Sequence, residues 1–333
     1  MRFAILGAGR IGQAHVATLH VQPGVTEIFV GDLDLGRAAN AAASIGSPAF
    51  GSIDDAFSFS PDGIVIAAPT SAHAELIMRA VGAGIPTFCE KPLAESLSST
   101  IRVVEECERG AVPVQIGFQR RFDAGYRAAK DALDTGTIGE LRRMHMLTCD
   151  PTPPPADYIP LSGGIYRDCH IHDFDILRWV TGREVVSVFA IGSNRGEAFF
   201  GEAGDVDESA AMLVLDDGTL VTVQGSRYNG AGYDVRMELA GTRANRSVGL
   251  DDRVPLTSSE PGVSFPAGTP WPSFRERFAA AYAAELAAFV SVAARIIPSP
   301  CTPRDALEAL FVAEAAERSR AESRLVYLTE VRA

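Results

Sequence analysis

The sequence predicts an α/β fold over the first third of the chain, followed by an α+β domain with a mostly antiparallel open sheet. Three observations carry this reading. Short apolar runs alternate with helix-patterned segments as far as Phe118, longer strand-like runs take over beyond it, and 333 residues suit about two domains. The change falls near residue 120, so the expected domains are 1–120 and 121–333. An apolar fraction of 47% is enough for a sizeable core.

In chain order, FAIL (3–6) leads into a helix to about His20, and EIFVG (27–31) into a helix near residues 35 to 45. GIVIAA (63–68) precedes SAHAELIMRAVGAG, PTFCE (86–90) precedes SLSSTIRVVEECERG, and VPVQIGF (112–118) closes the series. Five such strands with helical crossovers spell a parallel sheet covered on both faces. A helix from about Asp123 to Leu133 and a strand over LRRMHMLTC then reach DPTPPPADY, a loop too rich in proline for helix or central strand. VVSVFAIGS, ESAAMLVL, GTLVTVQGSRY and YDVRMELAG read as strands, the middle pair joined by the hairpin signal Asp216-Asp217-Gly218. Helices from about Ser273 to Arg295 and from Pro303 to about Glu322 complete the chain.

Composition excludes several classes of function. A net charge of −12, with no run of Lys or Arg, argues against a surface that tracks nucleic-acid phosphates. The five cysteines contain no Cys-x-x-Cys pair, which fits a reducing, cytoplasmic compartment better than a disulfide framework or a zinc knuckle. Met1-Arg2-Phe3 runs straight into a glycine-bearing stretch with no apolar signal core. The apolar window from Phe278 carries Glu285 and Arg295, and Phe278, Tyr282, Leu286, Phe289, Ala293 and Ile296 recur at helical spacing. It reads as a packed helix rather than a membrane span.

FAILGAGRIG places Gly7, Gly9 and Gly12 between a strand and a helix, the context in which G-x-G-x-x-G marks a Rossmann dinucleotide-binding domain. Gly7 allows the tight turn, Gly9 a close approach of backbone to pyrophosphate, and Gly12 close packing of helix on strand. Arg10 and Ile11 open the helix whose amides would hold the anion. Asp32, twenty residues past Gly12, would accept from the adenosine ribose hydroxyls and repel a 2′-phosphate, so the expected cofactor is NAD. Arg37, just beyond, is the residue that could instead admit a phosphate. Pro69, Thr70 and His73 follow the third predicted strand, where ligands of open α/β sheets bind.

Positions 162–177 read SGGIYRDCHIHDFDIL, with carboxylates and imidazoles mixed among apolar residues. Three readings compete: a metal site from His170 and His172 with Asp168 or Asp173, an acid/base pair, or a solvated helix start. No established metal-ligand spacing is present, and helical residues two apart do not share a face. If a helix starts near Arg167, Asp168 and His172 share a face four apart, with Asp175 three further on. A carboxylate so placed fixes the imidazole's tautomer and leaves its other nitrogen to take a proton. His170 and Asp173 then turn away, Asp173 into solvent, and their replacement should cost much less than that of His172. No metal is expected.

Cys89-Glu90-Lys91-Pro92-Leu93 together with Asp168-x-x-x-His172 resembles the glucose-fructose oxidoreductase, inositol dehydrogenase and rhizopine-catabolism family (Gfo/Idh/MocA). The likeness runs through GAGRIG, AAPTSAH, CEKPLA, GFQRRFD, SGGIYRDCHIHDFD, SRYNGAGYDVRMELAG and RFAAAYAAELAAF, with a look closest to bacterial inositol 2-dehydrogenases. The resemblance implies an NAD-dependent dehydrogenase acting on a secondary hydroxyl of a cyclic polyol, myo-inositol foremost. It implies Lys91, Asp168 and His172 as the chemical set, Glu90 and Lys91 at the cofactor, and an active site between the domains. Arg120, Asp123, Tyr233 and Tyr282 are candidates for the substrate pocket, or equally for salt bridges and core. A homo-oligomer, dimer or tetramer, built through the open sheet is implied as well. Gln119 and Cys169-His170 depart from the family's look. The alternatives are a related pyranose or amino-inositol dehydrogenase and, from another class, a nicotinamide-binding sensor without turnover.

Overall fold

Alternation of buried apolar strands with amphipathic helices produces, in the computed structural model, a six-stranded parallel sheet in the order β3-β2-β1-β4-β5-β6. The structure describes residues 1–266 and 268–332. The strands are β1 (Arg2–Leu6), β2 (Glu27–Gly31), β3 (Phe50–Gly51), β4 (Gly63–Ile66), β5 (Thr87–Glu90) and β6 (Val114–Gly117). The sequence predicts five of these. The sixth, β3, is two residues long and pairs with β2 through Val30–Phe50 and Gly31–Gly51, too short to show any periodicity. The helix after it, Ile53–Ser58, opens on a capping box between Ser52 and Asp55.

Contacts divide the chain into two units. The first joins Met1–Phe122 to Ala280–Leu307, and the second joins Asp123–Ala279 to the chain from Glu308 onward. The expected helix from Ser273 to Arg295 is interrupted: Phe274–Arg277 and Ala279–Ala293 are separate, with Phe278 at φ −109° and ψ 16° between them. Within the first unit the longer helix brings Phe289 against Phe3 and Phe88, each at a ring separation of 5.8 Å, so apolar residues distant in sequence share one core.

The second unit is built on β7 (Leu141–Cys149), β8 (Val185–Ser193), β9 (Glu208–Leu215), β10 (Leu220–Ser226), β11 (Asp234–Gly241), β12 (Asn245–Val248) and β13 (Val326–Tyr327). Their order is β12-β11-β7-β10-β9-β8-β13. Asp216-Asp217-Gly218 makes the β9–β10 hairpin, with Gly218 at φ +86° and the Thr219 amide donating to Asp217. The expectation of a mostly antiparallel sheet is corrected to a mixed one, because β7 and β10 pair in parallel over seven positions at its centre. Three helical segments between Ile159 and Thr181, then β8, the short helix Phe199–Glu202 and β9 separate those two strands in sequence, so chain direction along the sheet is set by long-range pairing that local alternation does not encode. The helix Ile171–Thr181 buries Phe174, Ile176, Leu177 and Val180 in this unit.

Candidate active site

In the first unit β1 is buried from Phe3 onward and runs into Gly7, whose φ of +100° belongs to the region that favours glycine. A Cβ there would stand 2.6 Å from Ala67 O, and one on Gly12 would stand 1.9 Å from Gly7 O. Gly9 is different, because nothing lies within 4 Å of its Cβ position. Its missing side chain leaves open space at the start of the helix Arg10–His20, which carries no side-chain cap. Bare helix-start amides beside open space fit an anionic pyrophosphate. Arg10 is exposed and Ile11 half-buried at that start.

Asp32 directly follows β2 and is 6% exposed. It accepts from the Ala8 amide at 2.7 Å, the Asp34 amide at 2.8 Å and Arg37 Nη2 at 3.0 Å. Burial works to raise its pKa, but these donors together outweigh it, and the carboxyl sits below its ordinary range. The carboxylate is therefore ionised and fixed in direction. Arg37 is tied to Asp32 and more than half exposed.

Pro69 caps the helix Thr70–Gly82, in which His73 is buried. Its Nδ1 stands 2.7 Å from Pro92 O and its Nε2 2.8 Å from Ala68 O, so the ring joins the loop after β4 to the loop after β5. Lys91 follows β5 directly and is half-buried, with a cis bond to Pro92. Glu90 stands 2.6 Å from Nε2 of His15, a buried residue on the glycine-loop helix whose ring meets Phe88 and Tyr282 at 5.5 and 6.2 Å. His15 is a residue the sequence reading missed; its only signal is an imidazole on the buried face of the helix that follows the glycine loop. Gln119 and Arg120 lie buried in a 3₁₀ turn, Gln119–Phe122.

In the second unit, burial sorts the polar segment. Asp168 and His172 are half-buried, whereas His170, Asp173 and Asp175 are fully buried. Helical structure begins at Ile165 rather than near Arg167, stops at Asp168 and resumes at Ile171, with the His170 amide reaching back to Ile165 O. The i,i+4 argument for a shared face therefore does not carry across Cys169 and His170. The expectation that Asp173 faces solvent is also overturned: its carboxylate accepts from Thr148 Oγ1 at 2.9 Å and pairs with His170 Nδ1 at 2.8 Å, while His170 Nε2 meets Ser209 Oγ at 2.8 Å. A buried carboxylate is tolerable only with such partners. Arg178 is bound to Glu184 at 2.6 Å.

Asp168 accepts from Tyr158 Oη at 2.9 Å through one oxygen and from Arg227 Nη2 at 2.9 Å through the other. Arg227 also reaches Asp150 at 3.3 Å. Burial works to lower the Arg227 pKa, but Cys169, Asp168 and Asp150 around it outweigh that and hold it up. Tyr158, Asp150 and Arg227 were not legible as site residues. Asp123 caps the helix Ala124–Asp134, accepting from the Gly125 and Tyr126 amides, and binds Arg277 at 2.8 Å. Tyr233 is buried, its main chain bridged to Trp271. Tyr282 lies half-buried in the helix Ala279–Ala293 of the first unit. Among the described residues no group of three or more His, Cys, Asp or Glu could hold a metal ion, and no helix is long and apolar enough to cross a membrane.

The family model described as an oxidoreductase family with an NAD-binding Rossmann fold matches residues 1–118, and the GFO/IDH/MocA C-terminal domain model matches residues 126–245. The chain belongs to this family. It is 37% identical to the myo-inositol dehydrogenase Hyg17 of Streptomyces leeuwenhoekii, over 96% of this chain and 97% of that one. Identity to the inositol 2-dehydrogenase of Rhizobium meliloti (strain 1021) is 35%, covering 98% of each chain. The myo-inositol dehydrogenase of Lactobacillus casei, solved with NAD(H) and myo-inositol, superposes with a TM-score of 0.82 at 26% identity, over 98% of this chain and 96% of that one. The chain is thus a GFO/IDH/MocA oxidoreductase with an NAD-binding Rossmann domain over residues 1–118.

Proposed function

We propose that the protein is an NAD-dependent dehydrogenase that oxidises a secondary hydroxyl of a cyclic polyol, converting myo-inositol to its 2-keto form. The observation that carries this is the sorting of the polar segment: Asp168 and His172 alone of its carboxylates and imidazoles keep access to solvent, in a chain whose full-length relatives are named inositol dehydrogenases. Residues 1–120 hold the cofactor, and residues 121–333 bind substrate and assemble the oligomer.

Oxidising an alcohol removes a proton from oxygen and a hydride from carbon. When bound, NAD supplies the hydride acceptor. His172 takes the proton, Asp168 sets its tautomer, and Lys91 holds the same hydroxyl and shares in the relay. Gly7, Gly9, Gly12, Arg10 and Ile11 hold the pyrophosphate, Asp32 the adenosine ribose, and Pro69, Thr70, His73 and Glu90 line the cofactor's path. Arg120, Asp123, Tyr233 and Tyr282 line or brace the substrate pocket, where oriented polar groups reject analogues lacking a hydroxyl.

Initial rates of NADH formation across inositol isomers and aldoses test this reading. Myo-inositol should give the highest kcat/KM; an aldopyranose ahead of every inositol would replace the substrate assignment, and no turnover with any of them would support a nicotinamide-binding sensor. Cofactor choice follows from Asp32. Activity with NAD should exceed that with NADP by about 10²-fold, a few kcal/mol of like-charge repulsion, and Asp32→Ala should shrink the gap. Faster reduction of NADP by the wild type at equal low concentration would make Arg37 the dominant reader.

The assembly is a dimer or tetramer formed through the outer face of the mixed sheet. Ile191, Met212 and Leu220 are each more than half exposed, and the register of β8, β9 and β10 sets them on one side of the sheet. Light scattering on the eluting protein reads the number of subunits. The acidic, disulfide-free chain acts in the cytoplasm.

A further inference from the structure

We propose that Arg227 is a positioning residue for catalysis, acting by holding the Asp168 carboxylate ionised and fixed in plane; this rests on the reading of Asp168 as part of the chemical set. The placement comes from the parallel register. Ser226 pairs with Cys149, so the residues after the two strand ends, Arg227 and Asp150, emerge side by side, and the Asp150 amide donates to Ser226 O at 2.9 Å. From there the Arg227 side chain, 2% exposed, spans two carboxylates: Nη1 donates to Asp150 at 3.3 Å and Nη2 to Asp168 at 2.9 Å.

Asp168 ends a helical turn of only four residues, Ile165–Asp168, and regular helix resumes only at Ile171. Its own helix therefore does little to fix the side chain. The restraint comes from outside, with Arg227 on Oδ2 and Tyr158, from the proline-rich loop, on Oδ1. A carboxylate can set an imidazole's tautomer only if its own plane is fixed and its charge kept. The guanidinium supplies both conditions, since its charge is permanent and its planar fork reaches two acceptors at once. A lysine at 227 would restore the charge without the fork.

A double-mutant cycle between Arg227→Met and Asp168→Asn tests this, with kcat for myo-inositol oxidation and the Kd of NAD as readouts. Arg227→Met alone should lower kcat by about 10- to 100-fold, the scale of a small misplacement near the reacting atoms, and leave the Kd of NAD within about twofold. In the Asp168→Asn background the same change should cost less than about threefold, because the carboxylate it acts through is gone. Arg227→Lys should recover part of the loss. Multiplying losses in the double variant, or near wild-type turnover of Arg227→Met, would overturn the inference while leaving the acid/base assignment intact. Wild-type turnover of Asp168→Asn alone would instead remove that assignment and this inference with it. Should Arg227→Met fail to fold by circular dichroism, Arg227→Lys takes its place in the same cycle, read by the same non-additivity.

Discussion

His172→Ala and Lys91→Ala should each lower kcat by about 10²- to 10⁴-fold while the Kd of NAD changes little, the range expected when a group that moves or holds a proton in the transition state is lost. Binding should survive because the glycine loop and Asp32 lie in the Rossmann sheet's own loops, built from β1, β2 and the turns after them. Asp168→Asn should also lower kcat, but by less than His172→Ala does, through misorientation and the wrong tautomer. Steady-state kinetics with cofactor binding followed by fluorescence separate these effects. Near wild-type turnover of purified His172→Ala would remove the proton-transfer assignment.

His170→Ala should act chiefly on stability. The imidazole lies fully buried between Asp173 and Ser209, and its neighbours Tyr166 and Phe174 are at ring separations of 5.6 and 6.1 Å. Deleting it leaves the Asp173 carboxylate with Thr148 but without its imidazole partner, in a site that water does not reach. Leaving a buried acceptor without one of its hydrogen-bond donors costs about 1–3 kcal/mol, which for a unit of this size lowers Tm by about 5 °C. Gly225 belongs to the same network, since a Cβ there would stand 2.5 Å from His170 Nε2. Thermal unfolding by circular dichroism reads the effect; a variant melting within about 1 °C of wild type would mean that the network contributes nothing.

What was legible from sequence was local. The strand Leu141–Cys149, the hairpin turn at Gly218, the glycine loop and Lys91 after the fourth long strand all follow from patterns within about ten residues. Relations across distance were not. Asp168 and Arg227 are 59 positions apart and meet through the direction of β10, while His15 and Glu90 are 75 apart and meet because a helix packs beside β5. Asp173 was misplaced for the same reason: the partners that make its burial tolerable, Thr148 on β7 and His170 at the start of its own helix, depend on tertiary contact and on where the regular helix begins, which helical spacing does not encode. The two-residue β3 carries too little sequence to have a period at all.

Transfer of deuterium from carbon 2 of the substrate tests the central claim most directly. Myo-inositol carrying deuterium at carbon 2 should yield reduced cofactor with one deuterium by mass spectrometry, one 2-keto product per cofactor reduced, and slower turnover wherever hydride transfer limits the rate. Reduced cofactor without deuterium, or label lost to water, would contradict oxidation at that carbon.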